Sequence, residues 1–111
     1  MIEINISEQQ HVILVEVSGR VDSMNANQLG EALMAEIDNG HIQLVLDLAG
    51  VDYMSSAGLR EIVSSLKRVK RASGDLRIAQ PSERVREVLE MAGLDTIFHI
   101  YETQVEAVGS Y

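Results

Sequence analysis

The stretch Leu44-Val45-Leu46-Asp47-Leu48-Ala49-Gly50-Val51-Asp52-Tyr53-Met54-Ser55-Ser56-Ala57-Gly58-Leu59-Arg60-Glu61-Ile62-Val63 decides how this chain folds. Leu44 to Leu48 is apolar except for Asp47, so both of its faces require burial, as in an interior strand of an α/β sheet. Leu59, Ile62, Val63 and Leu66, with Val69 and Lys70 completing the spacing, recur at three and four residues, which is the period of an amphipathic helix. A buried strand therefore runs into a helix, and Ser55 and Ser56 stand at the helix N-terminus.

That position has chemical consequences. The first helical turn leaves backbone N–H groups unpaired and carries about half a positive charge. A serine oxygen there caps the helix, and a phosphate there is accommodated, because helix N-termini are natural anion sites. One serine suffices for a cap, so the adjacent pair leaves one over. Gly58, in the first turn, gives up ~1 kcal/mol of helix propensity relative to Ala, which implies that something approaches the backbone closely beside Ser56.

Outward from this junction, Ile2, Ile4 and Ile6 alternate with Glu3, Asn5 and Ser7. Glu8-Gln9-Gln10 is a polar turn into Val12 to Val17, and the two segments form an antiparallel hairpin. Gly19-Arg20-Val21-Asp22-Ser23 leaves the second strand, and Asn25 with Gln28 provides a cap and box for a helix carrying Ala26, Leu29, Leu33 and Ile37. Asn39-Gly40 reads as its left-handed C-cap, followed by the strand Ile42 to Leu48. Ser73-Gly74 stops the central helix, and Leu76 to Ala79 is a short strand. Pro81-Ser82 opens a helix with Val85, Val88, Leu89 and Ala92 on one face, closed by Gly93. Ile97 to Tyr101 is a last strand, and Thr103 to Glu106 is a capping-box signature for a terminal helix. The fold class is α/β: a single domain over residues 1–111 with a mixed β-sheet, an N-terminal hairpin plus a parallel βαβαβ segment, packed with about four helices. Its functional edge lies at the strand C-termini, where Ser56 falls.

Composition narrows the function. The 111 residues suit one two-layer core, and a formal net charge of −8 repels a phosphate backbone, so direct nucleic-acid binding is disfavoured. There is no cysteine, which excludes disulfides and thiolate catalysis and suits a reducing cytoplasm. Met1-Ile2-Glu3-Ile4 carries no signal-peptide pattern, and no apolar run approaches the ~20 residues that span a bilayer, so no membrane insertion is expected.

Enzymatic motifs are missing or isolated. Ser64-Ser65-Leu66-Lys67 matches S-x-x-K, but its S-D-N and K-T-G companions are absent. No nucleophile elbow, Walker A loop or dinucleotide fingerprint occurs. His11, His41 and His99 lie at separate strand edges without a ligand-spaced partner, so no metal is implied, and no cofactor either. Asp22, Asp47 and Asp52 fall near strand ends, where paired carboxylates would suit acid–base work, but Asp52 reads instead as turn chemistry, since aspartates bond their own backbone. Lys67, Arg68, Lys70 and Arg71 complement the C-terminal dipole of the central helix. Met24 and Met54 lie near the serines, where flexible methionines serve either protein contacts or core filling.

Tyr53-Met54-Ser55-Ser56-Ala57-Gly58-Leu59, preceded by Leu46-Asp47-Leu48 and by Gly19-Arg20-Val21-Asp22, resembles the STAS-domain family, in particular the bacterial anti-sigma-factor antagonists, and the resemblance spans essentially the whole chain. It implies that Ser56, two residues before the glycine, is a phosphoacceptor. Many members carry Asp where Ser55 stands, which leaves Ser55 as the second candidate. It implies further that Asp22 lies near the phosphoserine, and that Asp22, Ser23, Met24, Met54, Ser55, Ser56, Ala57, Gly58 and Arg60 form the partner-binding surface. The implied partners are an anti-sigma factor with serine-kinase activity and a PP2C-type phosphatase, with the free protein a monomer. The same resemblance leaves open a STAS subunit of a stressosome-type complex, a cytoplasmic partner of a transporter, or a small-ligand or nucleotide-binding domain.

Overall fold

The computed structural model describes residues 2–111; Met1, part of the N-terminal stretch read above, lies outside them. Alternating isoleucines build β1 (Ile2–Gln9), which pairs antiparallel with β2 (Val12–Val21). Gln9 pairs with Val12, so the turn is Gln10-His11, one residue later than the sequence implies, and both residues have positive φ (53° and 75°), as a two-residue turn with the right twist requires. The chain continues through α1 (Ala26–Asp38), β3 (Gln43–Met54), α2 (Ser56–Arg71), β4 (Asp75–Ala79), α3 (Glu83–Met91), a 3-10 turn (Leu94–Thr96), β5 (Ile100–Tyr101) and α4 (Gln104–Gly109). The sheet order is β1-β2-β3-β4-β5, parallel at every pair after the first, which is the expected mixed sheet with four helices.

The sheet has two unequal faces. Ile13, Val15 and Val17 of β2 and Leu44, Leu46 and Leu48 of β3 pack with Leu29 and Leu33 of α1, Ile62, Leu66 and Val69 of α2, and Val85 and Leu89 of α3. The alternate residues Val12, Leu14, Val45 and Ala79 form a smaller cluster closed by Ala107 of α4. Leu44 to Leu48 is thus buried on both sides, Asp47 included, which is why the segment is apolar almost throughout.

Several details differ from the sequence reading: β2 runs on to Val21 instead of ending at Val17. β3 runs on to Met54 instead of ending at Leu48, because Gly50 sits at a bulge that keeps the strand paired: a Cβ there would lie 2.7 Å from the Ser18 Cβ. The last strand contracts from Ile97–Tyr101 to Ile100–Tyr101, because Phe98 N–H is held by Leu94 C=O at 3.1 Å and Phe98 turns into the core. Asn25 does not cap α1 with its side chain; that side chain is committed to the preceding loop. Gly40 is the left-handed C-cap expected, with His41 N–H on Glu36 C=O and Gly40 N–H on Ile37 C=O, both at 3.0 Å.

Candidate functional site

Because β3 continues past its bulge, its last residue pairs with the last residue of β2, Met54 opposite Val21. The chain turns there at once into α2. Ser55 N–H donates to Val21 C=O at 2.9 Å, and Ser55, with extended backbone angles (φ −80°, ψ 167°), accepts the Gly58 N–H on its Oγ at 3.2 Å. Ser55 is the N-cap. Ser56 is the first helical residue and is exposed, so its hydroxyl is the one the cap does not use.

The loop between β2 and α1 is tied beside this junction by its own side chains. Asp22 Oδ1 accepts the N–H groups of Met24 (2.9 Å) and Asn25 (3.2 Å). Asn25 Oδ1 accepts Asp22 N–H at 2.9 Å, and Asn25 Nδ2 donates to Arg20 C=O at 2.9 Å. Arg20 lies 4.0 Å above the Tyr53 ring and 4.0 Å from Asp22 Oδ2. The carboxylate of Asp22 is thereby spent on loop geometry, and Ser23 and Met24, the latter 86% exposed, are held out to solvent. Asn25 was not among the candidate site residues; the Asp-x-x-Asn spacing of two turn-forming side chains was its only signal.

Ser23, Asn27, Ala57, Arg60 and Glu61 line one groove between α1 and α2. Ser56 and Arg60 line a second on the other side of the α2 ridge, so Arg60 borders both. The structure therefore brings Ser23, Ser56, Ala57 and Arg60 to one exposed end of the molecule, with Asp22 and Ser55 beneath them. Two other candidates are removed from the surface. Met54 is 3% exposed and belongs to the core, and Gly58 is buried. A Cβ at Gly58 would overlap the Met54 Sδ and lie 2.7 Å from Val21 Cγ1, so the close approach read from this glycine comes from inside the fold. These two residues position the junction from beneath.

The remaining carboxylates do not form an acid–base pair here. Asp47 is buried on the α4 side of the sheet, where it accepts from Ala49 N–H and Gln80 Nε2, both at 2.9 Å, and from the Gln104 amide; Asp52 is exposed within β3 and not in a turn, because the strand runs on to Met54. His41 pairs with Glu36 at 2.8 Å, and among the described residues no cluster has the composition of a metal site.

A family model for the STAS domain matches residues 3–107. The chain belongs to the STAS domain family. BtrV of Bordetella bronchiseptica, whose name assigns it provisionally as an anti-sigma factor antagonist, is 35% identical over 100 residues, covering 90% of this chain and 86% of that protein. The anti-sigma-B factor antagonist of Bacillus subtilis is 31% identical over 99 residues, covering 89% and 90%. The crystal structure of an anti-sigma factor antagonist from Mycobacterium paratuberculosis superimposes with a TM-score of 0.91 at 25% identity, over 99% of this chain and 93% of that one. In this STAS domain no helix among the described residues is long and apolar enough to cross a membrane.

Proposed function

We propose that this STAS domain is a non-enzymatic anti-sigma factor antagonist switched by phosphorylation of Ser56. Unmodified, it binds an anti-sigma factor with serine-kinase activity through the exposed end formed by Ser23, Met24, Ser56, Ala57 and Arg60, and so frees a sigma factor. The partner phosphorylates Ser56 and is released; a PP2C-type phosphatase restores the binding form. The free form is a cytoplasmic monomer. The observation that carries this reading is the division of labour between the serines: Ser55 is consumed as the N-cap, whereas Ser56 presents a free hydroxyl at the positive end of α2.

The phosphate acts at the surface and not by unfolding. It adds about −1.5 to −2 charges at a helix N-terminus, where negative charge is favourable, so α2 stays intact. The same strongly hydrated anion occupies the place where a partner must dock, and desolvating it without a matching cation is costly. Incubation with the anti-sigma kinase from the same genome is expected to phosphorylate Ser56, to leave circular dichroism and melting temperature nearly unchanged, and to abolish stable binding. A Ser56→Ala protein still fully phosphorylated at Ser55, or a melting temperature lowered by many degrees on phosphorylation, overturns the assignment.

A further inference from the structure

We propose that the groove between α2 and the α3–3-10 segment is a second, anchoring part of the partner interface, and that it seats an acidic amphipathic helix of that partner. The inference rests on the functional reading above, shares Ser56 and Arg60 with it, and extends it to Leu59, Val63, Lys67, Ala92 and Leu94. The groove has a volume of about 430 Å³; Leu59, Val63, Ala92 and Leu94 supply its apolar lining, Arg60 and Lys67 its charges, and Ser56 stands at its end. Met91, 88% exposed, and Ile97, 48% exposed, extend the apolar character of the same α3–3-10 segment.

Charge selects the occupant. The chain carries −8 overall with nine Lys and Arg residues, yet five of the nine (Arg60, Lys67, Arg68, Lys70 and Arg71) lie on α2, which has a single acidic residue, Glu61. Arg68 is paired with Asp38, and Lys70 with Asp75 at 3.3 Å. Among the described residues Arg60 and Lys67 have no such carboxylate partner, and they are the two cations that face the groove. An apolar trough with uncommitted cations, on an otherwise acidic protein, complements a helix that presents aliphatic side chains at three- and four-residue spacing with Asp or Glu beside them. A nucleic acid fits neither the apolar lining nor the net charge.

The placement also connects groove and switch. Arg60 lies one helical turn beyond Ser56 and shares the groove with it, so a phosphate on Ser56 competes with the partner's carboxylates for the guanidinium and repels them. Release of the acidic helix then follows from the same charge that enters at Ser56.

The test uses the intact chain and the purified anti-sigma kinase from the same genome. Lys67→Glu and Val63→Asp are expected to weaken binding by about ten-fold or more, with the Lys67→Glu loss shrinking at high salt, while Arg84→Glu on the exposed side of α3 changes affinity less than about two-fold. Since the chain has no cysteine, Ala92→Cys can carry a photo-crosslinker as the only thiol; it is expected to capture an acidic helical segment, and Ser7→Cys on β1 is expected to capture nothing. Wild-type binding left unchanged by both groove variants, or a crosslink to a basic segment, overturns the groove while leaving the switch at Ser56 standing. Failure of the wild-type chain to bind that kinase overturns both.

Discussion

The two ends of the parallel sheet are finished in opposite ways. Where β4 begins and the chain ends, side chains tie the polar groups around Asp75 into one network. The Tyr111 hydroxyl lies 2.6 Å from Leu44 C=O and 2.7 Å from Asp75 C=O, and the Arg77 guanidinium covers its ring at 3.9 Å. Arg77 also donates to Asp75 at 3.0 Å and to Ser110 at 2.8 Å, and Lys70 reaches Asp75 from α2. Burial alone would push the Asp75 carboxyl up, but the bonds from Arg77, Lys70 and Leu76 N–H outweigh it and hold it below the ordinary carboxylate value. Burial, with Asp75 nearby, pushes the Tyr111 phenol up. At the other end, where β2 and β3 stop, the backbone is packed just as firmly, but Ser56, Met24 and Arg60 are left uncommitted. A closed polar network stabilises one end, and the other keeps polar groups whose partners can change, as the switch proposed at Ser56 requires.

The sharpest way to break this contrast is at the packed backbone under the open end. Gly58→Val drives methyl groups into Val21 and Met54, so a loss of stability of about 1–3 kcal/mol is expected, with partner binding falling alongside it. Denaturant unfolding checks this. A variant of normal stability would mean that the backbone there is loose and the site is open throughout.

Asp75→Asn tests the closed end. Leaving Arg77 and Lys70 without their carboxylate is expected to cost about 1–3 kcal/mol near neutral pH while binding at the Ser56 end is unchanged. The sign with pH follows from the lowered carboxyl: its contribution is present above the unfolded-state value near 3.8 and is lost as pH falls through the still lower folded value. Wild-type stability should therefore drop more steeply in acid than that of Asp75→Asn, and the two curves should converge at the acid limit. Parallel curves would remove Asp75 from the network.

The smallest effect separates the two serines. Ser55→Ala removes the cap and is expected to cost about 1 kcal/mol, whereas Ser56→Ala, at an exposed first-turn position, is expected to change stability by less than about 0.5 kcal/mol. Thermal melts of the two variants at matched conditions measure the difference. Equal losses would show that both hydroxyls support the helix and that neither is spare.

The order of elements, the mixed sheet and the serine pair at the start of α2 were all legible in the sequence, because they rest on local signals: alternation in β1, the three- and four-residue period of α2, and cap residues at Ser55, Ser82 and Thr103 that each accept the expected backbone N–H. What the sequence could not settle were matters of approach between distant segments. Leu48 reads as the end of its strand until Ser18 is seen against Gly50, and Gly58 reads as a docking position until Met54 and Val21 are seen beneath it. Met54 has the same composition-level meaning in a core as on a surface, and only its 3% exposure places it inside. Asp47 and Asp22 likewise look alike as strand-end acids, yet one lies under α4 held by two glutamine amides and the other ties the loop beside Ser55. Periodicity fixes which face of an element is apolar, but which residue of a neighbouring element meets that face depends on register and bulges, and those are set by the packing of the whole sheet.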